Sequence, residues 1–252
     1  MKQETDSIQV QILGSGTILS GAQRQCASYL INHQNRTALL DAGMGAVLQL
    51  KKARQNPLKI TEVFISHFHL DHTADLFPFL LWRCLQDPQA NSRLTLYGPP
   101  GTTRWFADLA AWQGGWLSNA RPQIIEAQGA ISWAGLKVTA QPTPHTEESI
   151  AWRFGDLLFY SGDTDWSDKL VAFAKGCRCG LVECSFPDTL KMAGHLTTSE
   201  SARLAGEAHL TQLVLTHFYP QNERQDLELQ VKRIFNGQVI AARDLLTVEI
   251  GG

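Results

Sequence analysis

The chain has 252 residues, 44% of them hydrophobic and 18% charged, which is enough to bury a full core and near the upper end of what one α/β domain holds. Lys and Arg number 22 against 24 Asp and Glu, for a formal net charge of -2. That balance excludes a broad basic surface for a nucleic-acid backbone or an acidic membrane and confines any such contact to a local patch.

Apolar runs broken by Gly, Asn and Pro predict strands at Ile8–Leu13, Ser28–Asn32 and Thr37–Leu40. Helical spacing over Gly45–Gln55 follows, then a strand at Glu62–Ile65, a helix over Leu70–Leu85, a strand at Leu94–Tyr97 and a helix over Thr103–Trp112. The second half predicts strands at Ile131–Trp133, Lys137–Ala140, Ile150–Phe154 and Leu157–Tyr160. After these come a helix over Asp168–Lys175, a strand at Gly180–Glu183, a helix over Ser199–His209, a strand at Leu213–Leu215, a helix over Glu223–Phe235 and a strand at Val239–Ile240. One small sheet cannot hold so many strands, whereas two packed sheets with helices outside can. No linker, repeat or low-complexity run divides the chain, so the expectation is one α/β layered domain over residues 1–252. The opening residues carry no apolar leader, no run is long enough to span a bilayer, and the five cysteines are scattered. A soluble, cytoplasmic chain with no membrane partner is expected.

The chemistry is concentrated where strand Glu62–Ile65 runs into His67, His69, Asp71 and His72. In extended backbone His67 and His69 point to one side and can share a cation, while Asp71 and His72, at the turn into the next helix, can serve a second. Three of the eight histidines fall here, at a strand end, which argues against a chance surface run. His145, Asp163 and His217 each lie just beyond the C-terminal end of an apolar strand, and strands ending at one sheet edge would gather them. His195, in Gly194-His195-Leu196-Thr197, lies at a helix start instead. Placement alone does not sort His145, His195 and His217 into ligands and non-ligands. His33 reads as a turn residue, His209 as a helix-face residue, and Cys177 and Cys179 as small half-buried residues before a strand. Gly14–Gly21 has the wrong spacing for a dinucleotide loop, Gly98–Thr103 lacks the lysine of a phosphate loop, and no serine nucleophile elbow is present.

These residues resemble the ligand set of the metallo-β-lactamase-fold hydrolases over nearly the whole chain. Within that superfamily the chain is similar to ribonuclease Z-like phosphodiesterases through Leu13–Thr17, Leu40–Gly43, Tyr160–Thr164, Gly194–Thr197 and Leu215–Phe218. The resemblance implies a four-layer αββα sandwich and two divalent cations, zinc first, with manganese or iron as alternatives. It places His67, His69 and His145 on one cation, Asp71, His72 and His217 on the other, and Asp163 between them. His195 becomes a catalytic residue with Thr197 beside it, Asp41 a support that orients a ligand, and Asp71 an orienting or proton-accepting group. Two departures count against tRNA 3′-processing: the long substrate arm expected beyond His145 is missing, and Val182-Glu183-Cys184-Ser185 stands where a His-Glu-Ala-Thr segment is expected.

The expected substrate is therefore a small anionic or nucleotide phosphodiester, with larger nucleic acid a disfavoured partner. The rival activities are thioester, lactone or lactam hydrolysis on the same metals and tRNA endonuclease action, and a metal-free scaffold is the non-enzymatic alternative. Trp82, Trp105, Trp112 and Trp116 could cover a second subunit or pack a core equally well.

Overall fold

The computed structural model describes residues 7–223 and 225–251, so the opening segment and one residue of the expected C-terminal helix lie outside it. The first half runs β1 (Ile8–Gly14), β2 (Ser28–His33), β3 (Arg36–Ala42), α1 (Ala46–Lys52), β4 (Ile60–Phe64), α2 (Leu70–Thr73), α3 (Leu76–Gln86), β5 (Thr95–Gly98), α4 (Thr102–Ala110) and β6 (Gln123–Glu126). The second half runs β7 (Ile131–Trp133), β8 (Leu136–Pro142), β9 (Ile150–Phe154), β10 (Leu158–Tyr160), α5 (Asp168–Ala174), β11 (Cys179–Glu183) and α6 (Thr198–Glu207). It ends with β12 (Gln212–Thr216), α7 (Pro220–Glu223), α8 (Leu227–Val231), β13 (Gln238–Ala241) and β14 (Thr247–Ile250). Two seven-stranded mixed sheets result, in the orders β14-β1-β2-β3-β4-β5-β6 and β13-β12-β11-β10-β9-β8-β7, with helices outside both, as the αββα expectation required.

Every strand expected from the sequence is present, but β6 and β14 were not anticipated. Both are four-residue edge strands with a single neighbour, so neither carries the apolar run of a buried strand. The expected helix over Leu70–Leu85 is two helices. Pro78 has no amide hydrogen and must sit in a first turn, so α3 restarts at Leu76, and Asp75, at the break, turns its carboxylate to the Gly45 and Val47 amides at the start of α1. The C-terminal helix is divided likewise, with Asp226 accepting from the Leu229 amide to begin α8.

Phe64 shows how the sheets are locked together. On β4 the alternation of the strand sends it toward the second sheet, where it meets Trp133, Trp152 and Phe154 edge-on. Full burial of such a ring stabilises the fold by roughly 1.5–3 kcal/mol. Val63, its neighbour in sequence, faces the other way, into the apolar layer with Leu39, Phe79, Leu80 and Phe106 under the first set of helices. Just beyond Phe64, the Trp152 indole donates to the Ile65 carbonyl at 3.1 Å and the Ile150 amide to the Ser66 carbonyl at 3.0 Å. The sheets are thus tied together immediately before the first histidine.

Strand direction gathers the rest. β3 and β4 run parallel, as do β10, β11 and β12, and β8 shares their direction because β9 is antiparallel to both β8 and β10. The C-terminal ends of these strands deliver Asp41, His67, His145, Asp163, Glu183 and His217 to one edge of the sandwich. Among the described residues no helix is long and apolar enough to cross a membrane. All five cysteines are free; Trp112 is 88% exposed, while Trp82, Trp105 and Trp116 pack partly against the core under the first sheet's helices.

Candidate metal centre

Five imidazoles converge, and each of four is fixed through its outward nitrogen so that its other nitrogen points inward. His72 donates from Nδ1 to Asp41 Oδ2 at 2.7 Å, His145 from Nδ1 to the Gly194 carbonyl at 2.8 Å, His67 from Nδ1 to Ser66 Oγ at 3.1 Å, and His217 from Nδ1 to Ser185 Oγ at 3.0 Å. Their Nε2 atoms, with His69 Nδ1, face one another. His67 Nε2 and His145 Nε2 approach His69 Nδ1 to 3.1 and 3.2 Å, and His72 Nε2 lies 3.2 Å from His217 Nε2. Asp163 sits between the two sets. Its Oδ2 is 3.8 Å from His67, 3.7 Å from His145 and 3.4 Å from His217, and its Oδ1 is 3.2 Å from His72 Nε2. Asp71 completes the second set, its Oδ2 3.6 Å from His217 Nε2.

This arrangement fits divalent cations. Ring nitrogens 3.1–3.2 Å apart need a proton or a cation between them, and two nitrogens each ~2.1 Å from one tetrahedral cation are ~3.4 Å apart. Asp163 Oδ1 is buried and makes no well-formed hydrogen bond among the described residues, with His72 Nε2 3.2 Å away, a costly state for a carboxylate oxygen that a cation relieves. The protonation balance shows the same demand for positive charge. Burial would raise the Asp163 carboxyl, but His217, His72 and His67 hold it well below its usual range, and burial would lower His72, yet Asp163 and Asp41 drive it well above. His67 and His145 are pushed down, chiefly by burial, and so favour the neutral form that ligates. The donors form one group of His67, His69, His145 and Asp163, a second of Asp71, His72 and His217, and a third of Asp163, His195 and His217.

The supports are as ordered as the ligands. Asp41 is fully buried at φ 53°, a left-handed conformation that costs energy for a non-glycine residue. There it accepts from the Ser66 amide and hydroxyl, His72 Nδ1 and the Tyr160 hydroxyl, all at 2.6–2.7 Å. One carboxylate therefore sets the orientation of His72 directly and of His67 through Ser66. Asp41 was expected from the sequence; Ser66, Tyr160 and Ser185 were not, because each acts through a single hydroxyl.

The sequence of this layout is that of a known group: the Beta-lactamase superfamily domain matches residues 36–218, which span every one of these positions. The chain belongs to the metallo-β-lactamase superfamily. Its fold is also that of the metallo-β-lactamase fold protein YhfI of Bacillus subtilis, with a TM-score of 0.85 at 23% identity over 97% of this chain and 100% of that one. A diphosphatase of the PhnP family gives a TM-score of 0.75 at 20% identity, covering 96% and 97% of the two chains. In sequence, a ribonuclease Z of Ignicoccus hospitalis is 26% identical over 297 aligned residues, covering 95% of this chain and 97% of the relative. That alignment is longer than this superfamily member itself, so the ribonuclease carries segments this chain lacks.

His195 stands beside the ligands in a loop that the fold clamps. Lys191 donates to the His195 carbonyl at 2.7 Å while pairing with Asp165 and Glu200, and Asp165 accepts from the Gly194 amide. His195 Nδ1 donates to Glu183 Oε2 at 3.1 Å, and Ser185 donates to that same oxygen. Burial would lower this imidazole, but the adjacent Glu183 raises it to about 9. Its ring lies 4.9 Å from that of His145 and 5.7 Å from that of His217. The Thr197 hydroxyl accepts from the Glu200 amide while Glu200 accepts from the Thr197 amide, a capping box that starts α6. Glu183 was passed over in the sequence, although an acid closing an apolar strand, like Asp41, was a signal for it. His33 and His209 join none of the metal-competent groups among the described residues.

Proposed function

We propose that this protein is a dinuclear metal-dependent phosphodiesterase of the ribonuclease Z-like group, acting on a small or nucleotide phosphodiester. The observation that carries the proposal is His195: an imidazole with its own carboxylate partner, standing outside the two larger groups of candidate ligands although it forms a third with Asp163 and His217. His67, His69 and His145 would hold one cation, Asp71, His72 and His217 the second, and Asp163 would bridge them. Cations bound there supply Lewis acidity toward a phosphoryl oxygen and a nucleophile near neutral pH.

The chain's own residues do the rest. With two divalent cations offset by Asp71 and Asp163, the site keeps a net positive charge and selects an anionic ester. Asp71, at the mouth of the site with its side chain 13% exposed, orients the nucleophile or accepts its proton. His195, fixed by Glu183 through Nδ1, presents Nε2 to a phosphoryl oxygen or gives a proton to the leaving alkoxide, a contribution typically of ~10² to 10⁴ in rate. The small substrate is supported by residues 146–162, the whole stretch between His145 and Asp163. They are taken up by β9 and β10, which pair tightly as an antiparallel hairpin from Trp152 to Tyr160 and leave no length for a substrate arm.

The test is hydrolysis of bis(p-nitrophenyl) phosphate by protein reconstituted with zinc or manganese, beside a thioester and a lactone at equal concentration. Metal-dependent turnover of the phosphodiester above both competitors is expected. Turnover of the thioester or lactone alone would replace the reading with one of those activities.

A further inference from the structure

Phe186 and Tyr219 stand beside His195, and the reaction described above uses neither. Their rings stack with centroids 4.4 Å apart at 25°. Both meet His195, Phe186 at 5.8 Å and Tyr219 at 5.7 Å, and Tyr219 meets His217 at 5.8 Å and 73°. Phe186 is buried, so it backs the pair, while Tyr219 is half-buried and forms its open side. The backbone on both sides of Tyr219 is fixed: its amide donates to the Ser185 carbonyl, and its own carbonyl accepts from the Asn222 and Glu223 amides.

The hydroxyl is the informative atom. The two tyrosines inside the sandwich use theirs on protein, Tyr29 with Thr216 and Tyr160 on Asp41. That of Tyr219 has no hydrogen-bond partner among the described residues. Its ring stands edge-on to those of His195 and His217, at 69° and 73°, so the side chain lies against the cluster. A neutral donor on a ring held beside these imidazoles would be complementary to an anionic oxygen that bound cations draw in.

We propose that Tyr219 contacts substrate, donating its hydroxyl hydrogen to a non-bridging phosphoryl oxygen on the His195 side of the site. The proposal rests on the phosphodiester reading for its substrate class, but it is tested on binding as well as turnover. Zinc-loaded protein is titrated calorimetrically with inorganic phosphate, for the parent chain and for Tyr219→Phe, which keeps the ring and its stack. A hydrogen bond to a charged oxygen corresponds to a loss of about tenfold or more in affinity, with zinc content unchanged. The kcat/KM for any phosphodiester turned over falls by a similar factor. Equal phosphate affinity in the two proteins overturns the contact, as does a parent chain that binds zinc but no phosphate. A parent chain that binds phosphate, weakens in Tyr219→Phe and hydrolyses no phosphodiester leaves the contact standing and refutes the activity instead.

Discussion

The two ends of the sandwich treat buried polar groups in opposite ways. At the strand starts, the buried Glu62 carboxylate accepts from Arg36, from Thr61 at 2.7 Å and from the Trp133 indole at 3.2 Å. Close by, the buried Arg83 guanidinium donates to the carbonyls of Pro57, Ile60 and Arg93 and to Ser92, and burial pulls it down only to about 10. Protein satisfies protein there, and nothing is asked of a ligand. At the strand ends, imidazole nitrogens face one another and a buried carboxylate oxygen makes no well-formed hydrogen bond among the described residues. Burial of polar groups does not separate a brace from a site; what separates them is whether the protein completes their bonding by itself.

Asp163→Ala presses on this contrast hardest. It removes the group shared by both ligand sets, and turnover is expected to fall by more than about 10³-fold, several kcal/mol of transition-state stabilisation, with metal content reduced and the folded state retained by circular dichroism. His195→Ala comes next. Metal content measured by plasma spectrometry should stay at the parent value while kcat falls by ~10² to 10⁴; metal loss instead would place His195 among the ligands. Arg83→Met acts at the other end. Carbonyls left without a donor should cost about 1–3 kcal/mol in urea unfolding, with metal content and kcat unchanged, so an effect on turnover would break the division between the two ends.

The smallest effect is on a surface cap. The Asp188 carboxylate accepts from the Ser199 amide and hydroxyl, which outweigh desolvation and hold it below its usual range. A group depressed in the folded state contributes stability above its unfolded pKa and loses it as pH falls through the folded value. Asp188→Asn should therefore match the parent in the most acid range and fall below it above about pH 4, by less than about 1 kcal/mol because the group is largely exposed. Acid titrations of urea unfolding would read the difference.

Much of the fold was legible because its central strands are continuous apolar runs: Val63, Phe64 and Ile65 declare β4 whatever surrounds them. The edge strands β6 and β14 were not, since pairing on one side needs few apolar residues. Candidate ligands were legible where they cluster in sequence, as from His67 to His72, and where each closes a strand, as His145, Asp163 and His217 do. Glu183 and Tyr219 were harder to see. What marks them is a partner at close range, His195 Nδ1 for Glu183 and the imidazoles of His195 and His217 for Tyr219, and no spacing in the sequence encodes that.

The most direct test is metal stoichiometry. Protein stripped with a chelator, dialysed against zinc and then against metal-free buffer should retain two zinc ions per chain, gain thermal stability over the stripped form, and hold fewer ions in Asp163→Ala. A correctly folded parent chain that retains no zinc, manganese or iron would contradict the account, because its converging lone pairs would then be satisfied by protons alone.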